Sequence, residues 1–332
     1  MSFFIIYSMQ TGGMAMRRTL WLTILLALLP WAALAEMTVH FLDVGHGDCA
    51  ILQCDGETMI IDGGNSGQSQ LVYAYLQELG VTRVDVAVAT HPDGDHIGGL
   101  PAVFHAAEVG VLYTPVLTHE SSRFAKLVEA AEAQHVPVRT LRAGDSFPLG
   151  GAVAEVLSPA ELAGTDENDW SIVLRVTYGG RTFLFCADAG NRIERQLVAE
   201  GTELSADVMK VSHHGSDSGT LMQFVLAVSP EYAVISGDTR YDNPDDETVL
   251  KLLYGGAHLL HTLQNGHIVM STDGEALTVS SQRYYVANIN TLRYHRVSCG
   301  HLNRMSDNHR MLLFTQEEAI FRQLDPCDHC QP

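Results

Sequence analysis

The chain has 332 residues, of which 46% are hydrophobic and 18% charged, a globular balance long enough for one large domain or two small ones. The formal net charge of −19 argues against a nonspecific nucleic-acid coat, which needs basic surface to displace counterions from phosphates. It leaves room for an enzyme whose metal ions neutralise a single phosphate locally.

The N-terminus reads as a signal peptide, residues 1–35. Met16-Arg17-Arg18 supplies a basic start, residues 20–29 an apolar core, and Ala33-Leu34-Ala35 a small-x-small cleavage site. The apolar run falls short of the roughly 20 residues that a bilayer span needs. The expectation is cleavage after Ala35 and an exported product, periplasmic or secreted, with an uncleaved membrane anchor as the alternative. Residues 1–15 add nothing to the pattern, so Met14 or Met16 is a candidate start.

From Glu36 onward strands alternate with helices. Residues 38–42 read as a strand ending in Asp43-Val44-Gly45-His46-Gly47-Asp48. Residues 49–54 and 58–61 form the next two strands, turned by Asp55-Gly56 and closed by Asp62-Gly63-Gly64. Leu71, Val72, Tyr75, Leu76 and Leu79 recur at helical spacing, and Gly80 stops that helix. Residues 84–89, rich in valine, read as a buried strand that delivers Thr90-His91-Pro92-Asp93-Gly94-Asp95-His96-Ile97-Gly98-Gly99. Pro92 and Gly94 break regular structure, so two imidazoles and two carboxylates can converge. Such a set repels itself unless a cation holds it. An acidic turn with two solvated histidines is the plain alternative; we read His91, Asp93, Asp95 and His96 as a metal site.

Beyond the loop, Gly98-Gly99 open a helix toward His105, and residues 109–113 form a strand. Residues 121–134 form a helix with a serine cap and a stripe of Phe124, Leu127, Val128 and Ala131. Residues 153–157 are extended. Strands at 171–178 and 182–186 pair across Gly179-Gly180, and the second ends at Asp188. A strand at 208–212 delivers His213-His214-Gly215-Ser216. Helices at 221–228 and about 247–254 flank a strand at 232–236. Hairpin turns are expected at Asn265-Gly266 and Asp273-Gly274, and the regular pattern ends near Ser281. Two such halves suggest two sheets packed face to face with helices outside.

The elements 41–48, 61–64, 91–96, Asp188 and 210–216, in that order, resemble the metallo-β-lactamase superfamily, most of all its ComEC-type branch. The resemblance covers roughly residues 37–281. It implies an α/β (α+β) fold, an αββα four-layer sandwich with a dinuclear metal centre at one edge. Residues 36–281 would be the hydrolase domain. By the resemblance, His91 and Asp93 hold one divalent metal, Asp95 and His96 the other, and Asp188 bridges both. One of His213 and His214 completes the second site; consecutive side chains usually point apart, and His214 is preferred as the ligand.

Two departures matter. No histidine lies between His135 and His213, where many members place a further ligand, and Asn168-Asp169-Trp170-Ser171 stands there instead. Fewer nitrogens and more oxygens shift preference from zinc toward manganese, so Zn2+ or Mn2+ is expected. Long transmembrane segments are also missing, so DNA uptake by this chain alone is excluded. Two cations about 3.5–4 Å apart can share and acidify a water and polarise a phosphodiester. Asp95 or His213 would handle protons, and Asp188 would fix the spacing. Ser216, Arg240 and Asn243 are candidates for gripping substrate. Asp43, Asp48 and Asn168 are candidates for orienting the ligands. Asp62 reads as a turn former, and His46 as lining the pocket.

The first functional reading is a phosphodiester hydrolase, nuclease-like or phosphodiesterase-like, acting on a small or polymeric phosphoester, with nucleic acid as a substrate only. A lactam, lactone or thioester hydrolase and a non-catalytic binding module are the alternatives. Cys49 and Cys54 lie on one strand, too far apart at full extension to bond. Residues 282–332 form an extension of unknown structure. Its Cys299-Gly300-His301 and Cys327-Asp328-His329-Cys330 could supply zinc ligands or a disulfide, or the segment is poorly ordered.

Overall fold

Residues Met37, Val39 and Phe41 of the first strand, β1 (Met37–Phe41), point into one apolar layer, as strand alternation requires. The structure is a computed structural model and describes residues 36–162, 166–238, 243–282, 285–297, 299–313, 315–330 and 332. The expected signal peptide and Arg240 therefore lie outside the described residues. β2 (Ala50–Cys54) and β3 (Glu57–Ile61) form a hairpin through Asp55 and Gly56, at φ 50° and 91°, the left-handed backbone of a tight two-residue turn. β4 (Arg83–Val88), β5 (Glu108–Thr114) and β6 (Val138–Thr140) add in parallel.

A second sheet takes β7 (Ser146–Leu149), β8 (Ala152–Ser158), β9 (Val173–Tyr178), β10 (Arg181–Phe185), β11 (Val208–Lys210), β12 (Tyr232–Ile235) and β13 (His258–His261). Its order is β13-β12-β11-β10-β9-β8-β7. β14 (His267–Thr272) and β15 (Leu277–Gln282) then return to the first sheet, where β14 pairs antiparallel with β1. The helices are α1 (Ser69–Glu78), α2 (Gly94–Ile97), α3 (Pro101–Ala106), α4 (Ser122–Ala133), α5 (Asn191–Ala199), α6 (Met222–Val228), α7 (Asp246–Tyr254) and α8 (Thr262–Asn265).

Three apolar clusters make four layers. Between the sheets, Phe41, Leu52 and Met59 meet Leu174, Val176 and Phe183. Outside the first sheet, Tyr75, Leu76, Phe124 and Leu127 of α1 and α4 cover Ile60 and Ala87. Outside the second, Ile193, Phe224 and Leu252 of α5, α6 and α7 cover Leu184 and Met209. The architecture is the αββα sandwich that the resemblance implied. Each fully buried leucine or phenylalanine contributes about 1.5–3 kcal/mol, so this body has ample apolar stabilisation without any ion.

Two expectations need correction. Asn265-Gly266 does not turn a hairpin: α8 ends at Gly266, φ 75°, and Asn265 Oδ1 accepts the His261 N–H at 3.0 Å. The segment crosses from β13 in one sheet to β14 in the other, a step that no two-residue hairpin turn makes. The C-terminal segment is folded rather than poorly ordered. β16 (Tyr285–Asn288), β17 (Arg293–Arg296), β18 (Arg310–Leu313) and β19 (Asp325–Pro326) form a small sheet in the order β18-β16-β17-β19, with α9 (Gln316–Phe321) beside it. Val286, Val297 and Leu312 join it to the helix layer of the first sheet.

Candidate metal centre

Three loops meet at the strand ends, and they meet through glycine. A Cβ on Gly47 would lie 2.1 Å from the Asp95 carbonyl oxygen, and one on Gly99 2.0 Å from that of Gly63. Backbone hydrogen bonds clasp the loops: Asp48 N–H to Asp95 O at 3.2 Å, Gly63 N–H to His96 O at 2.7 Å and Gly99 N–H to Gly64 O at 2.8 Å. Asp62, Ala187, His213 and His214 all carry positive φ, which costs non-glycine residues energy and marks a backbone held for a purpose.

Each central imidazole is tied through Nδ1. His96 Nδ1 lies 2.8 Å from Asp62 Oδ2, His91 Nδ1 3.0 Å from Thr90 Oγ1, and His214 Nδ1 3.0 Å from the Ser236 carbonyl. Thr90 passes its own proton to Asp62 at 2.7 Å and donates its N–H to Asp62 Oδ1 at 2.9 Å. Donation at Nδ1 leaves a lone pair on each Nε2, the tautomer and orientation of a metal-ligating histidine. The sequence reading took Asp62 for a turn former; its contact with His96, 34 residues away, carries no local signal.

The three Nε2 atoms converge on Asp188. Asp188 Oδ2 lies 3.2 Å from His96 Nε2 and 3.8 Å from His91 Nε2, and Oδ1 lies 3.6 Å from His214 Nε2. Asp95 Oδ2 is 3.5 Å from His214 Nε2 and 3.3 Å from His46 Nε2. Asp93 Oδ2 is 3.7 Å from His91 Nε2. The donors form two triads, His91–His96–Asp188 and His46–Asp95–His214, linked by the 3.6 Å approach of His214 Nε2 to Asp188 Oδ1. His96 stands beside His91, ring centroids 4.1 Å apart, with Asp62 anchoring its far side. The Nε2 atoms of His91, His96 and His214 and Oδ1 of Asp188 are buried without a hydrogen-bond partner. Nitrogen and oxygen donors orphaned at ion-pair distance fit divalent cations.

Electrostatics agree. Burial would raise the Asp188 carboxyl, but His96 and His214 beside it hold it well below the usual carboxylate range. Burial opposes His214 and His96 in the same way at Asp95, which also stays low. These carboxylates demand positive charge, which protons or metal ions can supply. His46 is pushed down to about 4, by burial first and by His214 next, so its ring is neutral and available as a donor.

His213 and His214 do not point apart. Left-handed conformations at both, φ 45° and 54°, bend the chain so that His213 Nε2 also reaches Asp188 Oδ2, at 3.7 Å. His214 is buried and His213 half-exposed at the rim, its Nδ1 2.6 Å from Ser218 Oγ. Ser216 Oγ bonds Ser218 Oγ at 2.7 Å, and Asn243 is half-buried nearby, before Pro244, which packs on Gly215. Asp48 Oδ2 pairs with Lys210 Nζ at 2.9 Å and its Oδ1 lies 3.4 Å from His214 Nδ1. Asp43 Oδ1 accepts the Gly45 N–H at 3.1 Å. Asn168 is half-buried on a one-turn helix, where its N–H bonds Asp166. Its neighbour Ser171 reaches the centre instead, its Oγ accepting the Asp188 N–H at 3.3 Å. Lys210 and the ligand-like position of His46 were missed; the glycines flanking His46 were the one available signal.

A family model described as Metallo-beta-lactamase superfamily matches residues 42–266. The chain belongs to the metallo-β-lactamase superfamily. Relatives named for competence are consistent with the branch that its motifs resemble. ComE operon protein 3 of Bacillus subtilis (strain 168) is 26% identical over 281 residues, 78% of this chain and 35% of that protein. Competence protein ComA of Neisseria gonorrhoeae is 29% identical over 260 residues, 73% of this chain and 35% of that protein. The chain therefore spans about a third of the length of these relatives. Among solved structures, the metallo-beta-lactamase fold protein YhfI from Bacillus subtilis is 12% identical with a TM-score of 0.50, covering 71% of this chain and 100% of that one. That likeness is one of fold. The superfamily's metal-dependent hydrolase architecture and the His/Asp clusters coincide here in one enzyme centre.

Proposed function

We propose that this protein hydrolyses phosphodiester bonds with two divalent cations, Zn2+ or Mn2+, held by His91, Asp93, His96, Asp95, His214 and a bridging Asp188. His46, 3.3 Å from Asp95, is an additional donor on the second side. The observation that carries the substrate class is a cavity of about 1270 Å³ that shares His46 with the centre. Its wall includes His105, Arg296, Arg310 and His329 against one acid, Asp238. In a chain with 39 acidic and 20 basic residues, that local reversal of sign suits an anionic substrate.

Bound divalent ions supply Lewis acidity and a water acidified toward neutrality. Asp188, facing His91 and His96 with one oxygen and His214 with the other, would hold both ions. Asp95 accepts a proton within the centre. His213, anchored by Ser218 and open at the rim, is placed to protonate the leaving oxygen. Ser216, linked to His213 through Ser218, and Asn243 would orient the substrate.

Among the described residues no helix is long and apolar enough to cross a membrane. The signal-like residues 1–35 support an exported hydrolase acting on a small or polymeric phosphoester. The two relatives named for competence make a nucleic-acid strand one substrate to try. The test is turnover of bis-p-nitrophenyl phosphate against nitrocefin, each with Mn2+ and with Zn2+. Phosphodiester cleavage is the expected result. Nitrocefin turnover with no phosphodiester cleavage under either metal would overturn the proposal.

A further inference from the structure

The C-terminal sheet gathers a second set of donors, remote from the first in sequence and different in chemistry. β17 carries His295 and runs on to Cys299 and His301; β19 leads directly into Cys327 and Cys330. Parallel pairing of Arg293 with Asp325 and Tyr294 with Pro326, continued by the Cys327 N–H to Tyr294 O at 2.9 Å, brings the two segments together. His295 Nδ1 lies 3.4 Å from Cys299 Sγ, and His301 Nδ1 3.7 Å from Cys327 Sγ. Donor atoms of all four residues lie within 4.8 Å of one another. A tetrahedral ion with Zn–S near 2.3 Å and Zn–N near 2.0–2.1 Å has N···S edges of about 3.6 Å. The His295–Cys299 and His301–Cys327 distances, 3.4 and 3.7 Å, match that edge.

We propose that His295, Cys299, His301 and Cys327 bind one structural zinc ion, with Cys330 packed beside them. The need for it lies in the packing. Among the described residues this sheet's own buried apolar cluster is Tyr285, Ala287, Tyr294, Leu313, Ala319 and Leu324, with Met311 packed against it, and the adjoining cluster is Leu302 and Met305 around Cys299 and Cys327. So little apolar burial leaves a small module dependent on a staple. A disulfide fits worse: three thiols converge, all free, and a Cys299–Cys327 bond would strand both histidines and Cys330. Arg296 N–H approaches Cys330 Sγ at 3.4 Å, the kind of N–H···S contact that steadies a thiolate site.

The zinc site and the hydrolytic centre separate by spectroscopy, because the latter has only nitrogen and oxygen donors. The full chain, depleted of metal and reloaded with cobalt, should show thiolate-to-cobalt charge-transfer absorption in the near ultraviolet. Asp188→Ala should keep that absorption and Cys299→Ser/Cys327→Ser should lose it. Should the double variant fail to fold, the native chain suffices: titration with an organomercurial thiol reagent should release one equivalent of zinc to a chromogenic chelator. The proposal is overturned if cobalt gives no thiolate band. It is equally overturned if mercurial releases no zinc, or if mass spectrometry without reductant finds Cys299 and Cys327 joined in a zinc-free protein.

Discussion

The sandwich and the C-terminal sheet gather metal donors for opposite reasons. In the sandwich, three apolar clusters hold the fold and His91, His96, His214 and Asp188 are fixed at its edge by Thr90, Asp62, Ser236 and Ser171. In the small sheet, Cys299 and Cys327 are themselves the middle of a cluster. One region positions donors with a fold that already exists; the other lacks the apolar area to dispense with them. Metal should therefore govern turnover in the first and structure in the second.

The strongest way to break this contrast is to strip both sites with a chelator. Turnover should vanish completely. Limited proteolysis should then cut within 285–330 while the sandwich, 37–282, resists; early cleavage of the sandwich would refute the division. Next, Asp188→Ala should lower kcat/KM by about 10³-fold or more, since a bound metal contributes several kcal/mol of charge stabilisation. Its denaturation midpoint should not fall, and a large fall would make Asp188 structural. Asp62→Asn sharpens the comparison at smaller scale. Loss of the carboxylate that orients His96 should cost about 10–100-fold in activity or metal affinity, with added Mn2+ or Zn2+ restoring part of the loss.

What the sequence reveals follows the range of each interaction. The 91–96 loop, the His213-His214 turn, the Asp55-Gly56 hairpin and the α4 stripe are legible because their signals fall within a few residues. β6 and β7 are three and four residues long, too short for a period to emerge. α5 was missed because its buried face is Ile193 and Leu197 with Glu194, whose carboxylate accepts the Thr220 and Leu221 N–H groups at 2.7 Å. The Asp48–Lys210 pair joins residues 162 apart in sequence and the donors of the small sheet come together only through β17–β19 pairing. The twin histidines were misjudged in direction because the side-chain rule assumes ordinary backbone, and both residues adopt positive φ.

The smallest effect concerns stability, and it tests whether the sandwich depends on neutral histidines rather than on metal. His40 and His267 flank Tyr75 inside the body, with ring centroids 5.6 and 5.1 Å from it. His40 Nδ1 bonds Tyr75 Oη at 2.8 Å, and His267 Nδ1 accepts the Asp43 N–H at 2.7 Å. Burial lowers His40 to about 4 and His267 to about 3. The folded state therefore refuses a proton that the unfolded chain takes near 6.5, so this stability is complete above 6.5 and is lost as pH falls from there. At pH 5 the loss is about 2 kcal/mol per histidine. His267→Gln, whose amide oxygen can still accept the Asp43 N–H, should thus reduce the drop in unfolding free energy between pH 7 and pH 5 by about 2 kcal/mol. Denaturant titrations at the two pH values decide it. An unchanged drop in the variant would mean that acid sensitivity enters through the metal centre and that the two regions are less different than their cores suggest.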